Sequence, residues 1–247
     1  GHAVLRNEGR RHVQPLASTG CKPVGLAYVG SNPARPTMEQ SMKLSRPIDQ
    51  DKVMGMRLKW NMDMDQVAYT GDVVSGKGLV NYAGVTPANV PNGASASPLW
   101  SSKTAAEILK DVNEILQATW GNSGYAVAPD TLLLPPTAFS ALLQPCAING
   151  VGYQSIMQYV AENNVATRST GKKLEINVSK WLVGAGAGAT NRMVAYVKDY
   201  DFLRFPYTDL VNTAPQFQSL FQKVTYWGKI GAVEFVRPTA VGYRDGL

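Results

Sequence analysis

The chain has 247 residues, of which 45% are hydrophobic and 17% are charged, and it carries a formal net charge of +6. This length suits one large domain or two small ones, and it can bury a core without the help of disulfides or metals. The composition excludes collagen-like, disordered and disulfide-rich proteins, and no apolar run approaches the roughly 18 residues of a transmembrane helix.

The positive charge is concentrated in the first part of the chain. Residues 1–46 hold seven basic and two acidic side chains, and the remaining residues are close to neutral. Such a segment is typical of an arm that contacts nucleic acid or an acidic neighbour, and equally of a solvated tail. Proline is frequent there and periodicity is absent, so we predict an extended arm with one short strand at residues 24–29. Charged side chains interrupt any apolar run after Gly1, which argues against a signal peptide.

Two helices are predicted in the segments that follow the arm. Residues 48–69 alternate like a strand but also place apolar side chains at helical spacing. Their content of Met, Leu, Lys, Arg and Gln favours one long helix. Thr104 and Glu107 form a capping box at the start of the second helix, which we expect to end at Gly121. One apolar face is predicted on this helix, formed by Ile108, Val112, Ile115 and Leu116.

Strands dominate the second half of the chain. Periodicity and β-branched composition predict strands at residues 131–134, 174–178, 193–197, 202–205, 224–227 and 233–236. Shorter helices are predicted at residues 137–143 and 155–164. Because helices and strands occur in blocks rather than in regular alternation, the predicted fold class is α+β.

The sequence offers no recognisable catalytic centre. Its two histidines, His2 and His12, lie in the predicted arm, which excludes a Ser-His-Asp triad in the core and an HExxH zinc site. Cys21 and Cys146 lack CxxC spacing, so we expect two free thiols rather than a zinc site or a disulfide framework. We therefore predict no catalytic residue, no cofactor and no bound metal.

Two pairs of acidic residues resemble parts of functional sites. Asp63 and Asp65 lie close together, but the glycine and the distal glutamate of a calcium loop are missing, so we interpret them as a solvated helix end. Asp199 and Asp201 have no nucleophile or base beside them, and we interpret them as a turn between two strands.

The run GAGAGA contains Gly184, Gly186 and Gly188 and superficially suggests a dinucleotide-binding fingerprint. That fingerprint needs a strand before the glycines, a helix after them and an acidic residue about 20 positions later. Here a strand is predicted to follow, and the nearest acidic residues come too early. We therefore predict a mobile loop in which glycine allows positive φ and close approach of backbones.

Several blocks of the sequence, in order, resemble major capsid proteins of tailed bacteriophages. Near the end of the long helix these are DQVAYTGD and GLVN, followed by TAAEILKDVNEILQATWGNSGYAVAPDTLLLPPTAF. The later blocks are SIMQYVAENN, GAGAGATNRMVAYVKDYDFLRFPYTDL, PQFQ, GAVEFVRP and YRDGL. The resemblance extends from about residue 38 to residue 247 and covers more than 200 residues.

This resemblance implies the tailed-phage major capsid fold, which encapsulin compartments share. Residues 1–47 would form an N-terminal arm and an extended loop. A peripheral domain would comprise residues 48–120 and 202–247 and contain the long spine helix at 48–69. An axial domain would comprise residues 121–201 and include the glycine run.

The same resemblance implies a structural function without enzymatic activity. Copies of the chain would assemble as pentamers and hexamers into an icosahedral shell that encloses a phage double-stranded DNA genome. The implied partners are other copies, packaged DNA at the inner face, and scaffold, portal or decoration proteins, with no membrane partner. The implied location is the virion, after assembly in the host cytoplasm.

Two groups of residues are the candidates for contacts in such a shell. Arg6, Arg10 and Arg11 are predicted to contact the genome, because a guanidinium can bind two phosphate oxygens, or to contact acidic side chains of neighbouring subunits. The axial-tip loop near the capsomer axis would contain Gly184, Gly186 and Gly188.

Two other classes of protein remain open on the sequence alone. An encapsulin-like cellular shell would have the same fold and would enclose a cargo enzyme instead of DNA. An enzyme with an unrecognised site in the axial domain is the third alternative.

Overall fold

The fold is described from a computed structural model of the chain. The structure describes residues 24–31, 48–72, 76–147, 153–214, 216–218 and 221–247. The predicted arm lies outside these residues except for its strand, so Arg6, Arg10, Arg11, His2 and Cys21 are not part of the structural description.

Helices and strands occur in blocks, as the sequence predicts. The helices are α1 (Ile48–Thr70), α2 (Ala105–Asn122), α3 (Pro136–Leu142), α4 (Ile156–Asn163) and α5 (Val165–Thr170). The first strands are β1 (Val24–Ser31), β2 (Ala88–Asn89), β3 (Thr131–Leu134), β4 (Pro145–Ala147), β5 (Tyr153–Ser155), β6 (Glu175–Val178) and β7 (Arg192–Tyr196). The later strands are β8 (Leu203–Arg204), β9 (Val211–Asn212), β10 (Gln216–Gln218), β11 (Phe221–Ile230), β12 (Glu234–Phe235) and β13 (Val241–Asp245).

The chain divides into two compact units. The larger unit contains Leu79–Arg204 and Glu234–Leu247, and the smaller unit contains Phe205–Val233 together with the described part of Arg6–Gly78. These limits differ from the boundaries at residues 120 and 201 that the resemblance implies, and the assignment of peripheral and axial domains stays a prediction.

A five-stranded mixed sheet forms the centre of the larger unit. Its strand order is β2-β13-β7-β3-β6, in which β7 is antiparallel to both β13 and β3, and the outer pairs are parallel. All residues of β3 and β7 are buried, which explains why both segments are almost continuously apolar. Helix α2 packs on β13 and β7 and also contacts α4 and α5.

Local sequence signals explain where helix α2 begins and which of its faces is buried. The Thr104 hydroxyl accepts from the Glu107 amide, and the Glu107 carboxylate accepts from the Thr104 amide at 2.8 Å, which completes the predicted capping box. The predicted apolar face is buried, and its four members are Ile108, Val112, Ile115 and Leu116. The helix continues past Gly121 to Asn122, and the positive φ of 67° occurs at Gly124 instead.

The smaller unit combines α1 with an antiparallel sheet of four strands. Strand β11 pairs with β1 along the whole of β1, from Val24 opposite Ile230 to Ser31 opposite Lys223, and also with β10 and β9. On α1 the buried Trp60 contacts β11, because Gly228 leaves space for its indole ring. A Cβ on this glycine would lie 2.5 Å from the Trp60 ring.

Most sequence predictions of elements are confirmed, with differences at particular positions. The long helix and the strand at residues 131–134 have the predicted limits to within one residue. Strand β13 is missing from the prediction, although it lies beside β7 in the central sheet. Strand β6 is an edge strand of that sheet, and Val178 at its end is 49% exposed. Among the described residues, none of the helices is long and apolar enough to span a membrane.

Candidate functional site

The glycine loop, defined here as residues 184–190, connects Val183 to β7 in the larger unit. Gly184 and Gly188 have positive φ values of 69° and 67°, which favour glycine as the sequence predicts. Gly186 has a φ of −83° and is required for a different reason. A Cβ at this position would lie 2.9 Å from the carboxyl carbon of Asp245, so only glycine permits the close approach.

One hydrogen bond connects this loop to β13 and others close it on itself, while the mobility expected from the sequence stays a prediction. The Ala187 amide donates to Asp245 Oδ2 at 3.0 Å, and the Gly186 amide donates to the Thr190 carbonyl at 2.8 Å. The Ala189 amide donates to the Gly186 carbonyl at 3.1 Å. Neighbouring Asn191 accepts from the Gly184 amide through its side chain at 3.3 Å. The loop therefore has a defined backbone conformation although most of its residues are exposed.

A buried ion pair lies directly beneath the loop. Arg192 Nε and Nη2 donate to the two carboxylate oxygens of Asp245 at 2.6 and 2.8 Å, and Arg192 Nη1 donates to the Val80 carbonyl at 2.6 Å. Only 9% of the Arg192 side chain and 2% of the Asp245 side chain are exposed. Each charge has a bidentate partner and further hydrogen bonds, which is the condition under which buried charges are tolerated.

Tyr243 belongs to the same buried polar cluster as Arg192 and connects it to the backbone of Leu79. The Arg192 guanidinium lies 4.7 Å from the centre of its ring, and its hydroxyl donates to the Leu79 carbonyl at 2.6 Å. The hydroxyl also accepts from the Tyr82 amide at 3.4 Å. Burial raises the pKa of Tyr243, so the phenol stays neutral and acts as a structural hydrogen-bonding group.

A second buried ion pair joins α2 to the segment before it. Lys103 Nζ donates to Asp111 Oδ2 at 2.6 Å and to the Pro91 carbonyl at 2.7 Å. Trp100 Nε1 donates to the same carboxylate oxygen at 2.9 Å. Burial raises the pKa of Asp111, and the hydrogen bond and charge of Lys103 oppose that rise. The pair fixes the path of the chain that leads into α2.

A cleft of about 480 Å³ lies beside β13 in the larger unit, and residues 84–88, α2 and β13 line it. Gly242 forms part of this lining, and a Cβ on it would overlap Thr119 Oγ1. The charged side chain of the lining is Arg244, which donates to the Asn89 carbonyl at 3.1 Å and lies 3.9 Å from Glu114. Through these contacts Arg244 connects β13 to β2 and to α2.

In the smaller unit, α1 carries three exposed apolar side chains at helical spacing. Met54, Leu58 and Met62 are spaced four residues apart and are 61%, 62% and 52% exposed. Met54, Leu58 and Met62 therefore lie outside the core of the subunit. The interpretation of Asp63 and Asp65 as a solvated helix end is wrong in position, because both lie inside α1, where Asp63 forms an ion pair with Lys59.

The structure tests only some of the predicted site residues. Asp199 and Asp201 form the predicted turn, in which the Asp201 amide donates to Asp199 Oδ1 at 2.8 Å. Cys146 is a free thiol, as expected. Within the described residues, no three His, Cys, Asp or Glu side chains are grouped so that they could hold a metal ion. The role of Gly184, Gly186 and Gly188 at a capsomer axis stays a prediction.

The Arg192–Asp245 pair was not predicted from the sequence. Charged residues are almost never fully buried without a partner, and Arg192 directly precedes a run of apolar residues that forms a buried strand. That position was the available signal that a carboxylate must lie nearby. The partner could not be identified, because Asp245 is 53 residues away and its strand was not predicted.

A family model for the major capsid protein matches residues 8–247 of this chain. No curated protein sequence matches it. The fold is similar to the capsid of Myoviridae phage XM1, with a TM-score of 0.72 and 13% identity over 91% of this chain and 74% of that one.

Two other solved structures have the same fold at low identity. The capsid of an empty GTA particle gives a TM-score of 0.55 and 12% identity, over 97% of this chain and 80% of that one. The holo-SrpI encapsulin complex of Synechococcus elongatus PCC 7942 gives a TM-score of 0.52 and 14% identity, over 91% and 74%.

Proposed function

This chain belongs to the major capsid protein family, and we propose that its copies close into an icosahedral shell around packaged double-stranded DNA. Both the family resemblance and the tailed-phage capsid fold, which encapsulins share, are confirmed. The protein is therefore a structural component of a capsid shell and of the virion. The pentamers and hexamers, the packaged DNA and assembly in the host cytoplasm are the proposed details.

The observation that carries this proposal is the match of the family model to nearly the whole chain, from residue 8 to residue 247. Composition supports it, because a charged fraction of 17% is low against roughly 25% for typical soluble domains, and neighbouring copies would cover uncharged surface. Closed shells of identical subunits need heterologous contacts that complete rings.

Packaged DNA as the content is supported by the distribution of charge. Seven basic side chains against two acidic ones in residues 1–46 give the arm a net positive charge beside a nearly neutral remainder. Contacts of lysine and arginine with phosphates are independent of sequence and weaken as salt concentration rises. Scaffold, portal and decoration proteins are further proposed partners, as the family resemblance implies.

The proposed role is non-enzymatic. The three described groups with shifted pKa values are Glu107, Asp111 and Tyr243. Each of them is used in hydrogen bonds within the protein, in a helix cap, a buried ion pair and a buried network respectively. Perturbed groups at an active site would instead be directed towards a substrate.

Sedimentation and negative-stain electron microscopy of the purified protein test the proposal. We expect capsomers or closed particles, and nuclease-resistant DNA in particles isolated from their natural source. A protein that stays a soluble monomer at high concentration in every buffer tested would overturn the shell assembly.

An encapsulin-like shell is the second candidate, because the holo-SrpI encapsulin complex has the same fold. The two candidates differ in their contents. Isolated particles that contain a cargo protein and no nucleic acid would favour the encapsulin-like function, and particles that contain protected double-stranded DNA would favour the capsid.

A further inference from the structure

We propose that Asp245 is a positioning residue for contacts between copies of this chain, because its buried carboxylate fixes the conformation of the exposed glycine loop. This inference rests on the proposed shell function. It assigns a role in assembly to a residue that neighbouring copies do not need to touch.

The two oxygens of Asp245 connect the core of the larger unit to the loop. Oδ1 accepts from Arg192 Nε at 2.6 Å, and Oδ2 accepts both from Arg192 Nη2 at 2.8 Å and from the Ala187 amide at 3.0 Å. Arg192 is itself fixed by its bond to the Val80 carbonyl. The carboxylate is therefore held by the core on one side and holds the loop backbone on the other.

The backbone of the loop needs such an anchor. Gly188 and Ala189 both have positive φ values, of 67° and 59°, and alanine is unfavourable in that region. A strained conformation of this kind persists only when surrounding contacts determine it. Those contacts are the bond from Ala187 to Asp245 and the bonds that close the loop on itself between Gly186, Ala189 and Thr190.

The loop is accessible to a second copy of the chain. Residues 187–190 are exposed, and Val183, which precedes the loop, is 56% exposed although it is apolar. A loop of fixed shape can make contacts that repeat identically around a ring, whereas a mobile loop would lose conformational entropy at each contact.

Replacement of Asp245 itself would leave Arg192 buried without its partner and could unfold the subunit. The test therefore uses Ala187→Pro, in which the proline Cδ takes the place of the amide hydrogen and separates the loop from Asp245. Both side chains of the ion pair are kept in this variant, and Gly186, with ψ of 173°, has a backbone conformation that suits the residue before proline. Ala187→Ser keeps the amide hydrogen and serves as the matched control.

Amide hydrogen exchange of the isolated subunits gives the first measurement. We expect exchange in residues 184–191 to be about tenfold faster or more in Ala187→Pro than in the parent and in Ala187→Ser. Exchange in β7 and β13 should be unchanged, which would show that the fold is intact. Equal loop exchange in all three proteins would overturn the proposal.

Assembly at equal protein concentration gives the second measurement, by sedimentation and electron microscopy. We expect closed particles from the parent and from Ala187→Ser, and few or none from Ala187→Pro. Normal particles from an Ala187→Pro protein whose loop exchanges faster would also overturn the proposal. If the parent itself forms no particles, the proposed shell function fails, and hydrogen exchange alone then decides whether Asp245 fixes the loop.

Discussion

Two glycines of the larger unit are needed for different physical reasons, so substitutions at either should destabilise the fold. Gly242 on β13 lies against the buried Thr119 of α2, whose hydroxyl donates to the Ile115 carbonyl at 2.8 Å. Gly124, just after α2, has open space around it but a φ of 67°. The two positions therefore need glycine for different reasons, one for contact and the other for backbone conformation.

We expect Gly242→Ala to lower the free energy of unfolding by about 1–3 kcal/mol, because the added methyl group overpacks the interface between β13 and α2. Chemical denaturation followed by tryptophan fluorescence measures the change. Thr119→Ala combined with Gly242→Ala should recover part of the loss, since it removes the hydroxyl that the methyl group meets. A double variant no more stable than Gly242→Ala would contradict this explanation.

Glu107 gives the helix cap of α2 a dependence on pH. Bonds from the Thr104 amide, the Ala94 amide and the Thr104 hydroxyl hold the pKa of Glu107 below its usual value of 4.5. A lowered pKa means that this group stabilises the folded state above 4.5 and that the contribution disappears as the pH falls through the folded-state pKa.

We therefore expect Glu107→Gln to lower the midpoint of thermal unfolding at pH 7 and to have a smaller effect near pH 3. Unfolding of parent and variant across this range, with Glu162→Gln as an exposed control outside the cap, measures the difference. An equal loss at both pH values would argue against an ionised cap.

The two long helices show opposite relations between apolar residues and burial. In α2 the apolar face is buried on the sheet, whereas in α1 an apolar stripe of Met54, Leu58 and Met62 stays exposed beside a buried Trp60. The burial of the apolar face of α2 is explained by contacts within one copy of the chain. The exposed stripe of α1 is what a subunit of a larger assembly can retain, although an exposed apolar residue alone identifies no partner.

Replacing one leucine by alanine in each helix distinguishes a buried apolar face from an exposed apolar stripe. We expect Leu116→Ala in α2 to lower the free energy of unfolding by about 2–5 kcal/mol, because Leu116 is fully buried. Leu58→Ala in α1 should change it by less than about 0.5 kcal/mol, because that side chain is 62% exposed. Denaturation curves of the two variants make the comparison, and a large loss for Leu58→Ala would show that this residue belongs to the core of the subunit.

At the scale of the whole molecule, the proposed contact with packaged DNA depends on the arm. The family match covers residues 8–247, whereas Arg6, Arg10 and Arg11 of the arm lie outside the described residues. The arm is the most basic part of the sequence, so it is the part in which loss of charge should change DNA retention without changing the fold.

We expect the triple replacement of Arg6, Arg10 and Arg11 by Gln to leave the folded units unchanged and to weaken DNA retention in particles. Release of DNA should also depend less on salt than in the parent, because fewer phosphate contacts are made. Nuclease accessibility of particles at several salt concentrations measures both effects.

Limited trypsin digestion of intact particles is the control for the position of the arm. Protection of the arginines agrees with an inner arm or with contacts to acids such as Asp63 and Asp65 of neighbouring subunits. Rapid cleavage at Arg10 or Arg11 in unbroken particles would contradict a genome-facing arm.

The sequence alone determined the features that depend on local patterns. The capping box of Thr104 and Glu107, the apolar face of α2 and the strand at residues 131–134 follow from spacing and composition within a few residues. The ordered blocks from residue 38 onward also identified the family. Arg6, Arg10 and Arg11 could be proposed from charge, and their positions stay predictions.

Only the tertiary structure decided the features that depend on residues far apart in the chain. Arg192 and Asp245 meet because β13 is added to the sheet beside β7, and no local pattern encodes that pairing. The tertiary structure also identifies what Gly186 approaches, because a Cβ at this position would lie too close to Thr190 and Asp245. Local spacing determines helices and caps because their hydrogen bonds are short in sequence, whereas buried charges find their partners only when the chain has folded.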